Sequence, residues 1–184
     1  MQQNSDNQLV VLVDENDNQV GTMGKLEAHQ NGGHLHRAFS IFVFNSKGET
    51  LLQKRAMNKY HSQGKWSNTC CSHPFVGEKV LDGAHRRLKE EMGFDCPLNE
   101  QFSFTYKADV GNGLTEWEYD HVIFGLFNGS PNINKQEASD YKWISLDQLK
   151  EDIEKNPGNY TPWLKICIDR VIDAYKKWGN KHGG

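Results

Sequence analysis

The chain has 184 residues, a hydrophobic fraction of 36% and an aromatic fraction of 11%, a composition that excludes a disordered chain and suits a globular one. The formal net charge of −3 argues against nucleic acid as a partner, and no apolar run is long enough to span a membrane. The polar start MQQNSDNQ lacks the features of a signal peptide, so we expect a cytoplasmic protein. We expect one domain over 1–184, with loose tails at 1–7 and 179–184.

Alternating apolar residues predict strands in the first part of the chain. QLVVLVD predicts a short strand, and a polar turn leads from it to a second short segment. In HRAFSIFVFN, Phe39 and Ile41 fall on one face and Phe42 and Phe44 on the other, which is typical of a strand covered on both sides. The turn SKGET leads into LLQKR, which completes a hairpin, and a polar loop is expected over 56–67.

The stretch NTCCSHP contains two adjacent cysteines, Cys70 and Cys71. Irregular cysteine spacing and the absence of an export signal predict free thiols. On a strand the two side chains point to opposite faces, so we expect one in the core and one in a site. Cys71 would share its face with His73. These residues alone leave a metal site, a nucleophile and a buried structural thiol open.

The second part of the chain predicts helices and more sheet. Leu81, Ala84, Leu88 and Met92 recur at helical spacing from Val80 onward, and Gly93 stands where a helix ends. FSFTYKADV and TEWEYDHVIFGLF flank GNG, which indicates a hairpin. DYKWIS predicts a last strand, and Ser145 with Gln148 predicts a capped helix after it. TPW predicts the start of a final helix that ends at Trp178. The pattern predicts an α+β fold with mixed and antiparallel sheets packed between helices.

The polar face of the first long helix has two possible interpretations. Arg86 and Arg87 precede Glu90 and Glu91 by four residues, which suits two solvated ion pairs. However, Ser72, Glu78 and RRLKEEMGF together resemble the Nudix box, with Ser72 at its usual glycine and Arg87 at a usual glutamate. Nudix hydrolases hold magnesium with carboxylates of this helix. Arg87 therefore weakens the case for pyrophosphate hydrolysis and suggests direct contact with a substrate diphosphate, since a guanidinium matches phosphate oxygens.

Three histidines and two glutamates form a candidate ligand set. His29, His36 and His73 each have the simple interpretation of an isolated histidine, while Glu116 and Glu118 alternate in TEWEY and so share one face of a strand. Combined, they would give a mixed nitrogen and oxygen shell for one divalent ion, Mn, Zn or Mg.

Together these motifs resemble one family, the type I isopentenyl diphosphate isomerases, which have a Nudix fold. The resemblance runs from about residue 9 to about residue 175. The segments on which it rests are EAHQNGGHLHRAFS, LLQKRA, WSNTCCSHP, the modified box ending EEMGF, FTYKAD, TEWEYDH and YTPW.

The resemblance implies a role for each matching residue. It implies one divalent metal held by His29, His36, His73, Glu116 and Glu118. It implies that Cys71 and Glu118 act on opposite faces of the substrate, with Tyr106 available to relay a proton and Trp163 over a cationic intermediate. A core anchor for the last helix is the alternative role for Trp163. The resemblance also implies that Lys25, Arg55, Lys59 and Arg87 contact the diphosphate. It implies that Glu91 helps to hold a magnesium ion bound with the diphosphate.

The implied reaction moves a double bond in isopentenyl diphosphate to give dimethylallyl diphosphate, in isoprenoid biosynthesis. Because an allylic C–H is a very weak acid, protonation of the alkene must come first, and a base then removes a proton from the resulting tertiary carbocation. The expected partner is a small isoprenoid diphosphate, and the protein is expected to be a monomer or homodimer. Two alternatives stay open: a Nudix hydrolase using Glu78, Glu90 and Glu91 for magnesium, and a diphosphate-binding module without turnover.

Overall fold

The computed structural model describes residues 8–182. The tail expected at 1–7 lies outside the described residues, as do 183–184 of the tail expected at 179–184, whereas 179–182 are helical and not loose. Within this range the chain forms strands, α-helices and one short 3-10 helix at Pro157–Asn159. The strands are β1 (Leu9–Val13), β2 (Gln19–Gly24), β3 (His36–Phe44), β4 (Glu49–Arg55), β5 (Trp66–Ser67), β6 (Cys70–Ser72), β7 (Leu98–Gly111), β8 (Leu114–Leu126) and β9 (Ala138–Ser145). The helices are α1 (Lys25–Ala28), α2 (Val80–Met92), α3 (Leu146–Lys155) and α4 (Pro162–His182).

The strands join in one mixed sheet built around β3. This strand pairs antiparallel with β1, β4 and β6, and it pairs parallel with β8 along its whole length, from His36 opposite Glu118 to Phe44 opposite Leu126. The long hairpin of β7 and β8 extends the sheet on one side, and β9 pairs with β4 on the other. The predicted α+β class is confirmed. The strands share one continuous sheet, where the sequence suggested more than one.

The two faces of β3 belong to two separate cores, as the alternation predicted. Phe42 and Phe44 pack in the larger core with α3 and α4, whereas Phe39 and Ile41 pack in the smaller core with α2. All four side chains are fully buried. Burial of each such side chain stabilises the fold by about 1.5–3 kcal/mol relative to exposure, so this strand fixes the layers on both sides of the sheet.

The helix ends follow the predicted capping residues, with two differences. Gly93 ends α2 in the left-handed region with φ of 74°, and the Ser145–Gln148 capping box opens α3. Leu81 is 37% exposed, so the apolar stripe of α2 begins only at Ala84. The last helix runs on to His182 instead of ending at Trp178, because a single glycine such as Gly179 costs a helix only about 1 kcal/mol.

Two tight turns hold the site loops against the sheet. The GNG turn between β7 and β8 has positive φ at all three residues, 88°, 57° and 72°. In the loop after α1, Gly33 has φ of 77° and lies so close to Thr115 that a Cβ would sit 3.0 Å from its carbonyl oxygen. The amide of Thr115 donates to the carbonyl of His29 at 2.8 Å. The histidine-bearing loop is therefore fixed to the start of β8.

Candidate active site

Four predicted metal ligands come together at one end of the β3–β8 pair. His29 follows α1, His36 begins β3, His73 follows β6 and Glu118 lies in β8. The parallel register puts His36 directly opposite Glu118. One nitrogen or oxygen from each of the four side chains lies within 4.8 Å of the others, and all four side chains are buried.

Hydrogen bonds to the backbone orient two of these imidazoles. Nδ1 of His29 lies 2.6 Å from the carbonyl oxygen of Lys25, and Nδ1 of His36 lies 2.7 Å from that of His34. Because a carbonyl only accepts, each Nδ1 carries the proton and each Nε2 presents a lone pair. This arrangement is the usual support of a metal-bound histidine.

The donor atoms fit a divalent cation. Nε2 of His36 lies 3.1 Å from Nε2 of His73, which in turn lies 3.0 Å from Oε1 of Glu118. Nε2 of His29 is buried and has no hydrogen-bond partner among residues 8–182. Burial lowers the pKa of His29 to about 4 and that of His73 to about 3, so both rings are neutral near pH 7 and suited to bind a metal.

Glu116, the fifth predicted ligand, lies in a second group with His29 and His61. The hydroxyl of Tyr106 connects it to Glu118, at 2.9 Å from Oε2 of Glu116 and 2.6 Å from Oε2 of Glu118. Burial and the neighbouring Glu118 raise the pKa of Glu116 well above its usual range. Burial acts in the same direction on Glu118, but the imidazoles of His36 and His73 hold its pKa well below that range. The two carboxyls therefore differ in proton affinity.

Cys71 lies on the same cleft as Glu118, Tyr106 and Trp163. It is half-buried in β6, with its Sγ 3.8 Å from the hydroxyl oxygen of Ser67. Burial raises the pKa of its thiol to about 12, so the group is protonated near neutral pH. Cys70 is fully buried in the smaller core on the opposite face of the sheet. The predicted division of the two cysteines between core and site is confirmed.

The four predicted cationic contacts line the other part of the cleft. Lys25, Arg55, Lys59 and Arg87 come from α1, β4, the loop after β4 and α2. Burial lowers the pKa of Lys25 to about 8, and repulsion from Lys59 and Arg87 acts in the same direction. This local concentration of positive charge, in a protein of net charge −3, is the arrangement that an anion site requires.

Two carboxylates neutralise part of this charge. Glu91 is buried and receives hydrogen bonds from Arg87 at 2.6 Å and from Gln53 at 2.8 Å. Glu137, in the loop before β9, forms ion pairs with Lys59 and, at 3.4 Å, with Arg87. Glu91 therefore lies where the resemblance expects it, at the cationic part of the cleft, and Glu137 joins it there.

Trp163 anchors the last helix, as one of its two expected roles requires, and it also reaches the cleft. Its indole Nε1 lies 3.1 Å from both Ser67 and Asn68, which anchors the start of α4 to the sheet. Its ring also lines the cleft, with the guanidinium carbon of Arg55 at 5.3 Å from the ring centroid. Trp163 is thus both a core residue and a wall of the site.

The remaining residues of the Nudix-like motif form ion pairs on the surface of α2. Arg86 donates to both carboxylate oxygens of Glu78 at 2.8 Å, and the Glu90 side chain is 45% exposed. Neither glutamate lines the cleft with Glu91. Arg87 bonds both Glu90, at 2.7 Å, and Glu91, at 2.6 Å, so each of the three carboxylates that a hydrolase would use for magnesium is already paired with an arginine, which argues against the hydrolase alternative.

Three site residues, Tyr60, His61 and Glu137, were not predicted from the sequence. Tyr60 and His61 line the cleft from the loop between β4 and β5. Burial lowers the pKa of His61 to about 2, with a further contribution from Arg55. Loop residues have no periodicity, so the sequence carries no signal for which way they face. For the pair of His61 and Glu116, the only signal in the sequence is one further histidine close to other site motifs.

Comparison with known proteins places the chain among Nudix proteins. The model of the NUDIX domain family matches residues 34–164. A crystal structure of DR0079 from Deinococcus radiodurans superposes with a TM-score of 0.75 at 17% identity, covering 89% of this chain and 98% of that one. The MutT protein of Methanosarcina mazei superposes with a TM-score of 0.64 at 18% identity, covering 77% and 96%. At these identities the structural likeness supports the fold.

No helix within residues 8–182 is both long enough and apolar enough to cross a membrane.

Curated relatives narrow the family. The chain is 56% identical to isopentenyl-diphosphate Delta-isomerase 2 of Aromatoleum aromaticum over 165 residues, which cover 90% of this chain and 87% of the relative. It is also 56% identical to isopentenyl-diphosphate Delta-isomerase 2 of Photorhabdus laumondii, over 88% of this chain and 91% of the relative. These values confirm the resemblance drawn from the motifs. The chain belongs to the NUDIX domain family and, within it, to the isopentenyl-diphosphate Delta-isomerases.

Proposed function

We propose that this protein interconverts isopentenyl diphosphate and dimethylallyl diphosphate, with Cys71 and Glu118 as the two proton-transfer groups. One observation carries the proposal: the thiol and the carboxylate line a single cleft whose other part is lined by four cationic side chains. A small substrate with an apolar end and a diphosphate end matches that division of the cleft.

The reaction needs one proton donor and one proton acceptor. A proton adds to the terminal alkene carbon, which leaves a tertiary carbocation, and loss of a proton from the neighbouring CH₂ forms the new double bond. No atoms are gained or lost apart from the exchanged proton. Cys71 and Glu118 exchange these protons, and the reverse reaction uses them in the opposite order. Tyr106, at 2.6 Å from Glu118, passes the proton to or from that carboxyl group.

The proposed metal site acts on Glu118. His29, His36, His73, Glu116 and Glu118 would hold one divalent ion, Mn, Zn or Mg, and its charge would lower the proton affinity of the bound carboxylate. The buried lone pairs of His29 and His36 are the features of this chain that fit such an ion.

The diphosphate supplies most of the binding energy, since the hydrocarbon part has only five carbons. Lys25, Arg55, Lys59 and Arg87 bind its oxygens, and Glu91 would hold a magnesium ion bound with the diphosphate. Binding must displace the ion pairs that Glu137 makes with Lys59 and Arg87. The substrate thus replaces carboxylate oxygens with phosphate oxygens around the same cations.

Trp163 protects the carbocation. A desolvated ring face stabilises a nearby cation by about 2 kcal/mol, and the buried indole also keeps water away from the reacting carbons. In the free protein Arg55 lies over this ring, so the diphosphate draws the guanidinium toward the other part of the cleft. The proposal further holds that neither nucleic acid nor membrane takes part and that the protein works in the cytoplasm as a monomer or homodimer.

Solvent exchange tests this proposal directly. Metal-loaded protein is incubated with isopentenyl diphosphate and Mg²⁺ in deuterated water, and the products are examined by mass spectrometry and NMR. We expect dimethylallyl diphosphate carrying deuterium, and no such product with the Cys71→Ala variant. Binding of isopentenyl diphosphate without turnover would identify a binding module, and release of inorganic phosphate or diphosphate would identify a hydrolase.

A further inference from the structure

His61 lies beside the predicted metal ligands but has no role in the reaction described above. The residue is only 3% exposed although it lies in the loop between β4 and β5. Its ring is stacked on that of His29, with centroids 6.0 Å apart. It also makes an edge-on contact with the ring of Trp163, where the two centroids are again 6.0 Å apart. It therefore lies between the candidate metal site and the wall proposed to face the carbocation.

The ring nitrogens of His61 are not used in the hydrogen bonding of the fold. Its Nδ1 is buried and has no hydrogen-bond partner within 8–182, and its Nε2 lies 3.5 Å from Oε1 of Glu116, too far for a strong hydrogen bond. A buried polar atom without a partner costs about 1–3 kcal/mol. An imidazole kept in this state needs a ligand that uses its lone pair.

His61, His29 and Glu116 form a second group of potential metal ligands that overlaps the first. Donor atoms of these three residues lie within 4.8 Å of one another, and all three residues are buried. His29 belongs to both groups, but its Nδ1 donates to the carbonyl of Lys25 and leaves only Nε2. One lone pair binds one ion, so the two groups cannot be filled by separate ions that both use His29. An ion bound to His29 therefore lies next to donor atoms of both groups.

We propose that His61 is a further protein ligand of the metal ion, which is then enclosed by four imidazoles and two carboxylates. The six residues are His29, His36, His61, His73, Glu116 and Glu118. A shell of six protein donors leaves no position for a water molecule, as in closed structural metal sites. Water kept off the ion is also water kept away from a carbocation, and four nitrogen donors favour a transition metal over Mg²⁺.

The competing explanation is that His61 only orients Glu116 from outside the shell. Its Nε2–H would then donate to Glu116, and the ion would have three imidazole ligands. The two explanations differ in the number of nitrogens bound to the ion and in the access of water to it, and both quantities can be measured without any isoprenoid substrate. Failure of this inference is therefore distinct from failure of the isomerase assignment.

The experiment uses metal-stripped full-length protein loaded with Mn²⁺. Pulsed EPR counts the histidine nitrogens on the ion, and proton relaxation of the solvent reports exchangeable water on it. In the wild-type protein we expect four imidazoles and relaxation no faster than that caused by fully enclosed Mn²⁺. Three imidazoles, or a rapidly exchanging water on the wild-type ion, would overturn the proposal, and this measurement needs no variant.

Variants sharpen the test. His61→Phe keeps a ring between His29 and Trp163 but removes both nitrogens, and we expect three imidazoles and Mn²⁺ affinity at least about tenfold weaker in competition with a chelator. His61→Ala makes room for water, so relaxation should increase. The matched control is His121→Ala, because His121 bonds Glu100 and Asp17 instead of the metal group. Unchanged affinity and nitrogen count in His61→Phe would show that His61 only packs in the site.

Discussion

The hydroxyl of Tyr106 lies 2.6 Å from Oε2 of Glu118, the shorter of its two contacts with site carboxyls. Burial and the adjacent glutamates raise the pKa of Tyr106 well above its usual range, so the hydroxyl keeps its proton and donates it as a hydrogen bond. Tyr106→Phe removes this donor without removing the ring. We expect kcat to fall by about 100-fold, the usual contribution of a positioned proton-transfer group.

The matched control for this variant lies on the same hairpin. Tyr119 faces away from Glu118 on β8, and its hydroxyl bonds Ser103 at 3.1 Å. Tyr119→Phe should keep a kcat close to that of the wild type. Equal kcat values for Tyr106→Phe and the wild type would remove Tyr106 from the proton path.

Adjacent cysteines allow a second matched pair. Cys71→Ala removes the thiol that lines the cleft, and we expect turnover to be abolished while isopentenyl diphosphate still binds, because the cationic residues are untouched. Cys70→Ala removes a thiol from the smaller core, so it should lower the free energy of unfolding by about 1 kcal/mol and leave kcat unchanged. Calorimetry for binding and a coupled assay for turnover check both variants. The reverse pattern would mean that Cys70 is the reacting thiol.

The lowered pKa of Lys25 predicts how kcat/KM changes at alkaline pH. Its pKa is lowered to about 8, chiefly by burial and then by Lys59 and Arg87, so the free protein loses this positive charge as the pH rises through 8. In the proposed site it is the charged form of Lys25 that binds the diphosphate. We therefore expect kcat/KM, which reports the free enzyme, to fall above about pH 8.

Lys25→Arg tests the origin of that fall. An arginine stays charged throughout this range, so the decrease in kcat/KM above pH 8 should disappear or move to higher pH. A wild-type profile in the arginine variant would assign the titration to another group.

A substitution at Arg87 distinguishes diphosphate recognition from diphosphate hydrolysis. Arg87→Glu restores the common Nudix box but puts a fourth carboxylate beside Glu90, Glu91 and Glu137. We expect KM for isopentenyl diphosphate to rise at least about tenfold, since a charge-assisted hydrogen bond contributes about 1.5–3 kcal/mol. No strong hydrolysis of a panel of nucleoside diphosphates should appear.

The neighbouring arginine provides the control for Arg87. Arg86 pairs with Glu78 on the outer side of α2, so Arg86→Gln should leave KM unchanged and lower stability by no more than about 1 kcal/mol. An equal rise in KM for both variants would point to a general loss of helix structure.

Metal removal should lower stability as well as activity. The shell brings buried lone pairs together only in the folded chain, so an ion present at 100 times its Kd stabilises the fold by about 2.7 kcal/mol. We expect a chelator to lower Tm by several degrees, and added Mn²⁺ or Zn²⁺ to restore it. His36→Ala should have a low Tm that responds weakly to either treatment. A chelator-insensitive wild-type Tm would contradict a resident metal.

The sequence predicted the parts of the site that lie on regular strands. Alternation separated the two faces of β3, and the same rule placed Glu116 and Glu118 on one face, where both bond Tyr106, and divided Cys70 from Cys71. In each case the side chain direction follows from the two-residue period of a strand and needs no distant contact.

The loop residues could not be predicted in this way. His61 and Glu137 are placed by ring contacts and ion pairs with residues far along the chain, and a loop has no period that carries such information. The single continuous sheet was missed for a related reason, because strand order depends on pairings between distant segments. The error at Leu81 is of the opposite kind. Helical periodicity predicted that this residue belongs to the buried stripe of α2, but it lies just outside the stripe and is exposed.

The parallel pairing of β3 with β8 also fixes when the metal site can exist. His36 and Glu118 are neighbours in space but belong to different halves of the chain, and the intervening β4 to β7 must be made before β8 can join β3. During synthesis the N-terminal half therefore carries the histidines of the candidate metal site before Glu116 and Glu118 of β8 are available to them. Metal capture at the proposed site is consequently a late event in biogenesis, and it marks chains in which the long-range pairing of β3 with β8 is already complete.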